Sequence, residues 1–212
     1  MEKNSKREQL EQRMAEGREY RAMTLTAGED EKEMRVEGYA ATFRQPYTLY
    51  EDAYFKLTEQ IDPGAFDACD MSDVIMQYDH AGRVFARSKN GTLQVGPDTV
   101  GLKISANLAG TDIGRQLYQE IKGGYTDKMS FGFTVAEDRR ETTENHDTGK
   151  TEVLRTITKI KKLYDVSAVS LPANDMTSIN ARRYADGVMG GIKAERLERA
   201  KKKLNLMLEL EE

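Results

Sequence analysis

The sequence predicts an α+β fold that is mainly β, and three observations carry that prediction. Apolar and polar residues alternate through Met34–Phe43 and again through Met129–Val135, the period-2 signature of strands with one buried face. The turn formers Gly96, Pro97 and Asp98 separate two further short apolar runs, punctuation that joins strands. Between Thr111 and Gly123 the spacing changes to a helical stripe of Ile113, Leu117, Tyr118 and Ile121, so a helix packs on the sheet.

The elements follow in order. Residues 1–28 are charged, with Leu10 and Met14 scattered and no sustained stripe, and read as an N-terminal extension. In Met34–Phe43, Gly38 interrupts the alternation, as a bulge does. Phe55, Leu57 and Ile61 mark a strand; Asp62 and Pro63 then have the residue types of an N-cap and first position, opening a short helix through Phe66. Val74–Tyr78 reads as a buried strand, and Thr92–Val95 with Val100–Leu108 as a pair. In Met129–Val135 the large apolar side chains share one face, and Ser130, Gly132 and Thr134 the other. Glu137–Lys150 is nearly all polar and reads as an exposed hairpin loop turning at Asp147, Thr148 and Gly149. Its flanking strands extend to Leu171, where Pro172 stops the second. The sequence thus divides into an extension (1–28), a central domain (29–184), and a glycine-containing linker with a charged C-terminal helix (185–212). Leu197, Ala200, Leu204 and Met207 recur there at heptad-like spacing, too briefly for a coiled coil, and docking onto a partner protein is the other reading.

Composition bounds the function. At 212 residues, with 32% charged against 38% hydrophobic, the chain has length for one core plus polar ends. A formal net charge of -4 offers no general attraction to nucleic acid or anionic lipid, and neither is expected as a partner. No apolar run approaches the roughly 20 residues of a bilayer span, and the first residues carry no apolar leader, so a soluble, unexported protein is expected. Cys69, the single cysteine, has no second thiol for a disulfide or a zinc site.

Candidate chemistry rests on few residues. A strand serine such as Ser130 is ordinarily a small, satisfied residue, and no G-x-S-x-G elbow surrounds it. His80 follows the Val74–Tyr78 strand, while the other histidine, His146, lies in the most polar segment, so His80 is the better placed general base. Asp165 stands in an apolar strand setting where a carboxylate needs a partner. That partner is either a nearby lysine or an imidazole that the carboxylate orients.

Several strings occur in order: Ile61-Asp62-Pro63-Gly64-Ala65-Phe66, Tyr78-Asp79-His80, Gly101-Leu102, Met129-Ser130-Phe131-Gly132-Phe133, and Asp165-Val166-Ser167-Ala168-Val169 leading to Pro172-Ala173-Asn174. Together they resemble the prohead protease family of tailed phages, distantly related to herpesvirus assemblins. The family more often shows glutamate where Asp165 stands, and asparagine where Tyr78 stands. The resemblance implies a compact β-barrel flanked by helices, herpesvirus-protease-like. It implies acyl transfer by Ser130 as nucleophile and His80 as base, with Asp165 steadying the imidazolium, and no metal or cofactor. It places the protein in the host cytoplasm, inside the assembling procapsid. The implied substrates are scaffold and major capsid protein segments and the protease's own termini, for which simple solvated tails are the alternative. Homo-oligomerisation is left open. Two rival functions stand beside this: a noncatalytic scaffold or capsid-assembly protein keeping the fold, and a cysteine hydrolase using Cys69.

Overall fold

The computed structural model describes residues 8, 12, 13, 15–28, 33–170 and 174–209. Its strands are β1 (Arg18–Ala27), β2 (Arg35–Thr42), β3 (Tyr47–Glu51), β4 (Phe55–Ile61), β5 (Ile75–Tyr78), β6 (Ala81–Arg87), β7 (Leu93–Pro97), β8 (Gly101–Asn107), β9 (Lys128–Asn145) and β10 (Lys150–Val169). Its two long helices are α1 (Asp112–Lys122) and α2 (Asn174–Glu209). The expected class, mainly β with helices, is what these elements form.

The strands make one sheet in the order β3-β4-β10-β9-β1-β2-β8-β7, with β5 inserted against β10 and β6 against β5. The expected closed barrel is not formed. Five-residue strands end the path at both sides, and no ladder joins them among the described residues. A single bridge, Phe43 to Ile61, with Arg44 N–H donating to the Ile61 carbonyl at 3.0 Å, brings the exit of β2 against the end of β4 without closing the sheet. Alternation dictates strands and faces, whereas closure depends on which edges find partners.

Two long strands organise the molecule. β9 and β10 run antiparallel from Lys128 and Val169 out to Asn145 and Lys150. On its other edge β10 pairs in parallel with β4 through Thr151–Ile157 and with β5 through Asp165–Ala168. The segment expected as an exposed loop, Glu137–Lys150, is therefore mostly strand. Its backbone is satisfied by the β10 ladder although its side chains are polar on both faces, so no alternation marks it. The turn itself falls at the expected residues: Gly149 has φ +70° and the Asn145 side chain accepts from the Asp147 and Thr148 amides.

The two ends of the chain also differ from expectation. Residues 18–27, read as extension, form β1, which pairs with β9 through Arg18–Thr24 and with β2 through Leu25–Ala27. The boundary expected at Gly28 thus falls between two paired strands. The glycine-containing segment read as a linker lies inside α2, where Ala185 and Val188 pack on Phe55, Leu57 and Val153. Glycine weakens a helix interior by about 1 kcal/mol relative to alanine, and this apolar contact offsets it. Pro172, expected to stop the last strand, lies outside the described residues, as do Leu10 and Met14.

Elsewhere the local chemistry acts as read. Asp62 caps the short 3₁₀ turn Pro63–Phe66 by accepting from the Gly64 amide at 3.0 Å. Thr111 caps α1 through the Gly114 amide at 3.1 Å, and α1 buries Leu117, Tyr118 and Ile121. The main core collects these with Phe66, Met129, Phe131, Phe133 and Leu163. No helix among the described residues is long and apolar enough to cross a membrane.

Candidate active site

The site is built on the central strands. Phe131 and Phe133 stack in the core with centroids 4.7 Å apart, which turns Ser130 and Gly132 to the opposite face of β9. There Ser130 lies opposite Ser167 of β10 and Ala22 of β1, and Gly132 opposite Asp165 and Tyr20. Directly opposed residues have side chains about 4.5–5.5 Å apart at Cβ, so Ser130, Ser167, Asp165 and Tyr20 share one small patch.

His80 reaches this patch from the tight turn joining β5 to β6. Asp79 and His80 are its two central residues, with φ +49° and +57°, the left-handed pair of a type I′ hairpin. Non-glycine residues take this conformation at a cost of roughly 1–2 kcal/mol each, and Asp and His are among those that tolerate it. The turn is held from outside. The Asp79 amide donates to the Ala168 carbonyl at 2.9 Å, the Ser170 amide donates to the Asp79 carboxylate at 3.0 Å, and Arg13 Nη1 donates to the His80 carbonyl at 2.7 Å.

The imidazole is thereby laid against Asp165. Nδ1 of His80 is 2.5 Å from Asp165 Oδ1, and Ser167 Oγ donates to the same oxygen at 2.8 Å. Asp165 is thus partnered by the imidazole, not by a lysine. The Tyr20 ring stands edge-on to the imidazole, centroids 4.4 Å apart. Burial first, and then the Asp165 charge, raise the Tyr20 phenol above its ordinary value. Ser130 is 0% exposed and His80 6%. Ser130 Oγ and His80 Nε2 are both buried without a hydrogen-bond partner among the described residues.

Of the residues singled out in the sequence, His80 and Asp165 are therefore in direct contact, and Ser130 occupies the strand face beside them without being bonded to either. His146 is exposed in the β9–β10 turn, away from this patch. Cys69 is half-buried beyond the 3₁₀ turn, and burial pushes its thiol up to about 11, the opposite of an activated thiolate. Sequence reasoning did not single out Tyr20 or Ser167. Tyr20 sits among Arg18, Glu19 and Arg21, whose charges masked the strand, and Ser167 is one more small residue in an apolar run.

Two of those masking charges, half-buried Glu19 and buried Arg21, are paired with each other. Glu59 accepts from Arg21 Nε at 2.7 Å, from Arg155 Nη1 at 2.8 Å and from the Tyr47 hydroxyl. Glu19 accepts from both guanidiniums, and Arg155 continues to Asp138 at 2.7 Å. The network ties β1, β3, β4, β9 and β10 together, and Tyr184 of α2 joins it through Asp138 at 3.2 Å. Arg21 faces away from Tyr20 and Ala22 on its strand, so this cluster backs the site from the other side of the sheet.

A family model described as caudovirus prohead serine protease matches residues 20–189. No curated protein and no solved structure matches the chain.

Proposed function

The chain belongs to the caudovirus prohead serine protease family, and from that premise we propose that it is an endopeptidase of procapsid maturation using Ser130 as nucleophile. The observation that carries the proposal is the His80–Asp165 contact at 2.5 Å, set on the strand face that presents Ser130.

With Nδ1–H donated to Asp165, the neutral imidazole keeps its lone pair on Nε2. Nε2 takes the Ser130 hydroxyl proton as Oγ attacks the scissile carbonyl, then gives it to the leaving amine, yielding an acyl-enzyme that water hydrolyses by the same relay. Asp165, nearly inaccessible to solvent, stabilises the imidazolium that forms in each half. The unmade Ser130–His80 bond fits this scheme, because such bonds commonly tighten only once substrate is bound. Full burial of Ser130 adds a requirement: whatever covers Oγ must move before a polypeptide reaches it.

The proposed substrates are scaffold and capsid-protein segments inside the assembling procapsid of the infected host, together with the protease's own termini. The test is coexpression of wild type or Ser130→Ala with the cognate capsid and scaffold proteins, read by intact-mass spectrometry. Cleavage by wild type alone is expected. Cleavage by both forms overturns Ser130 as nucleophile, and cleavage by neither in verified particles turns the reading to a noncatalytic assembly protein.

A further inference from the structure

Resting on that reading of Asp165, we propose that Ser167 is a positioning residue that aims the carboxylate at His80. Ser167 is a fully buried hydroxyl that donates to Asp165 Oδ1 at 2.8 Å, the oxygen that also meets His80 Nδ1. Asp165 Oδ2 is buried with no partner among the described residues. One carboxylate oxygen thus receives two donors while the other receives none.

The asymmetry has a mechanical reading. A carboxylate held by one hydrogen bond can swing about its last torsion, which is broad. A second donor on the same oxygen, fixed to the same strand, removes that freedom. Ser167 is well placed to be fixed, because its strand is paired on both edges here, with Ser130 of β9 and Gln77 of β5. Spacing i to i+2 puts its side chain on the same face as Asp165.

The hydroxyl also has an electrostatic effect whose sign can be worked out. By donating to Oδ1 it satisfies part of the carboxylate's charge, leaving less to stabilise imidazolium. Removing it strengthens the attraction of Asp165 for protonated His80 while leaving the carboxylate less well oriented. Ser167→Ala should therefore slow acylation of Ser130 and move the acid limb of its pH profile upward. A hydroxyl that merely fills space would change stability without moving that limb.

The test uses the purified full chain and a fluorophosphonate that phosphonylates the nucleophilic serine with loss of fluoride, with rates followed by intact mass from pH 5 to 9. Proton NMR of the downfield His80 Hδ1 resonance runs in parallel. Ser167→Ala and Ser167→Cys, the latter filling the site with a weak donor, should each lose about tenfold in labelling rate, the size of a modest hydrogen bond to a charged group. Both should raise the acid limb and shift the Hδ1 resonance. If either folded variant keeps the wild-type limb and resonance, the positioning role is overturned. If wild type is not labelled at Ser130, the protease reading fails, and the resonance alone then decides: movement in the variants supports the Ser167–Asp165–His80 linkage, and no movement refutes it.

Discussion

Gly132 stands between the two groups that hold His80, and replacing it with alanine tests that arrangement with a single methyl. A Cβ on Gly132 would lie 2.6 Å from Asp165 Oδ2 and 2.8 Å from Tyr20 Cε1, whereas ordinary contact begins at 3.4 Å. The methyl therefore intrudes on the carboxylate by about 0.8 Å. Neither neighbour yields freely: Asp165 is bound through Oδ1 to His80 and Ser167, and the Tyr20 ring backs on the imidazole. Overpacking of this kind costs about 1–3 kcal/mol, which lowers the melting temperature of a chain this size by roughly 2–12 °C. A catalytic group misplaced by about 1 Å can cost on the order of 10²-fold in rate. Ser130 of Gly132→Ala should thus be phosphonylated by a fluorophosphonate some 10- to 100-fold more slowly than in wild type, measured by intact mass well below the variant's melting point. A folded variant labelled at the wild-type rate would refute the reasoning, because the carboxylate would then have room that the geometry denies it.

Three other expectations follow from buried groups. Glu59→Gln weakens the only fully buried carboxylate between Arg21 and Arg155 among the described residues; breaking such a pair costs about 3–5 kcal/mol, and a urea-unfolding loss under 1 kcal/mol would contradict it. Burial alone would raise the Glu19 carboxyl, but Arg21 and Arg155 outweigh it and hold the group at about 2 against an ordinary 4.5. Its folded value lies below its unfolded one, so its contribution is full above the unfolded value and is lost as pH falls from about 5 towards 2. Glu19→Gln should flatten stability against pH in that window, and an unchanged slope would count against the network. Finally, with its thiol pushed up to about 11, Cys69 should react with iodoacetamide at pH 7.5 far more slowly than glutathione, and Cys69→Ala should leave Ser130 labelling unchanged; rapid alkylation would revive the cysteine.

Much of the site could be read before the structure because its elements obey simple periodicities. The alternation of Met129, Phe131 and Phe133 dictates that Ser130 faces away from them, and the caps at Asp62 and Thr111 announce their helices through residue type. Three features were hidden for different physical reasons. β1 looks charged because Arg21 is buried by pairing with Glu59 of β4, a partner a local window cannot see. The outer half of β9 is polar on both faces because it is an edge there, paired to β10 but beyond the reach of β1, with most of its side chains exposed. The middle of α2 carries Gly187, Gly190 and Gly191, poor helix formers whose penalty is offset by tertiary contacts at Ala185 and Val188. Closure of the sheet was not legible at all, since edge pairing leaves no trace in any single strand.

The place of β1 sets a limit on any trimming of this end of the chain. A strand stitched to β9 along one stretch and to β2 along the next cannot be shortened without unfastening both. Exposed residues 15–17 form the last step before it, ending at Gly17 with φ +84°. A cut there would spare every rung of the sheet yet detach Arg13 from the His80 carbonyl. Trimming at this end would reach the imidazole turn through that one guanidinium, and a cut even a few residues later would unfasten the sheet itself.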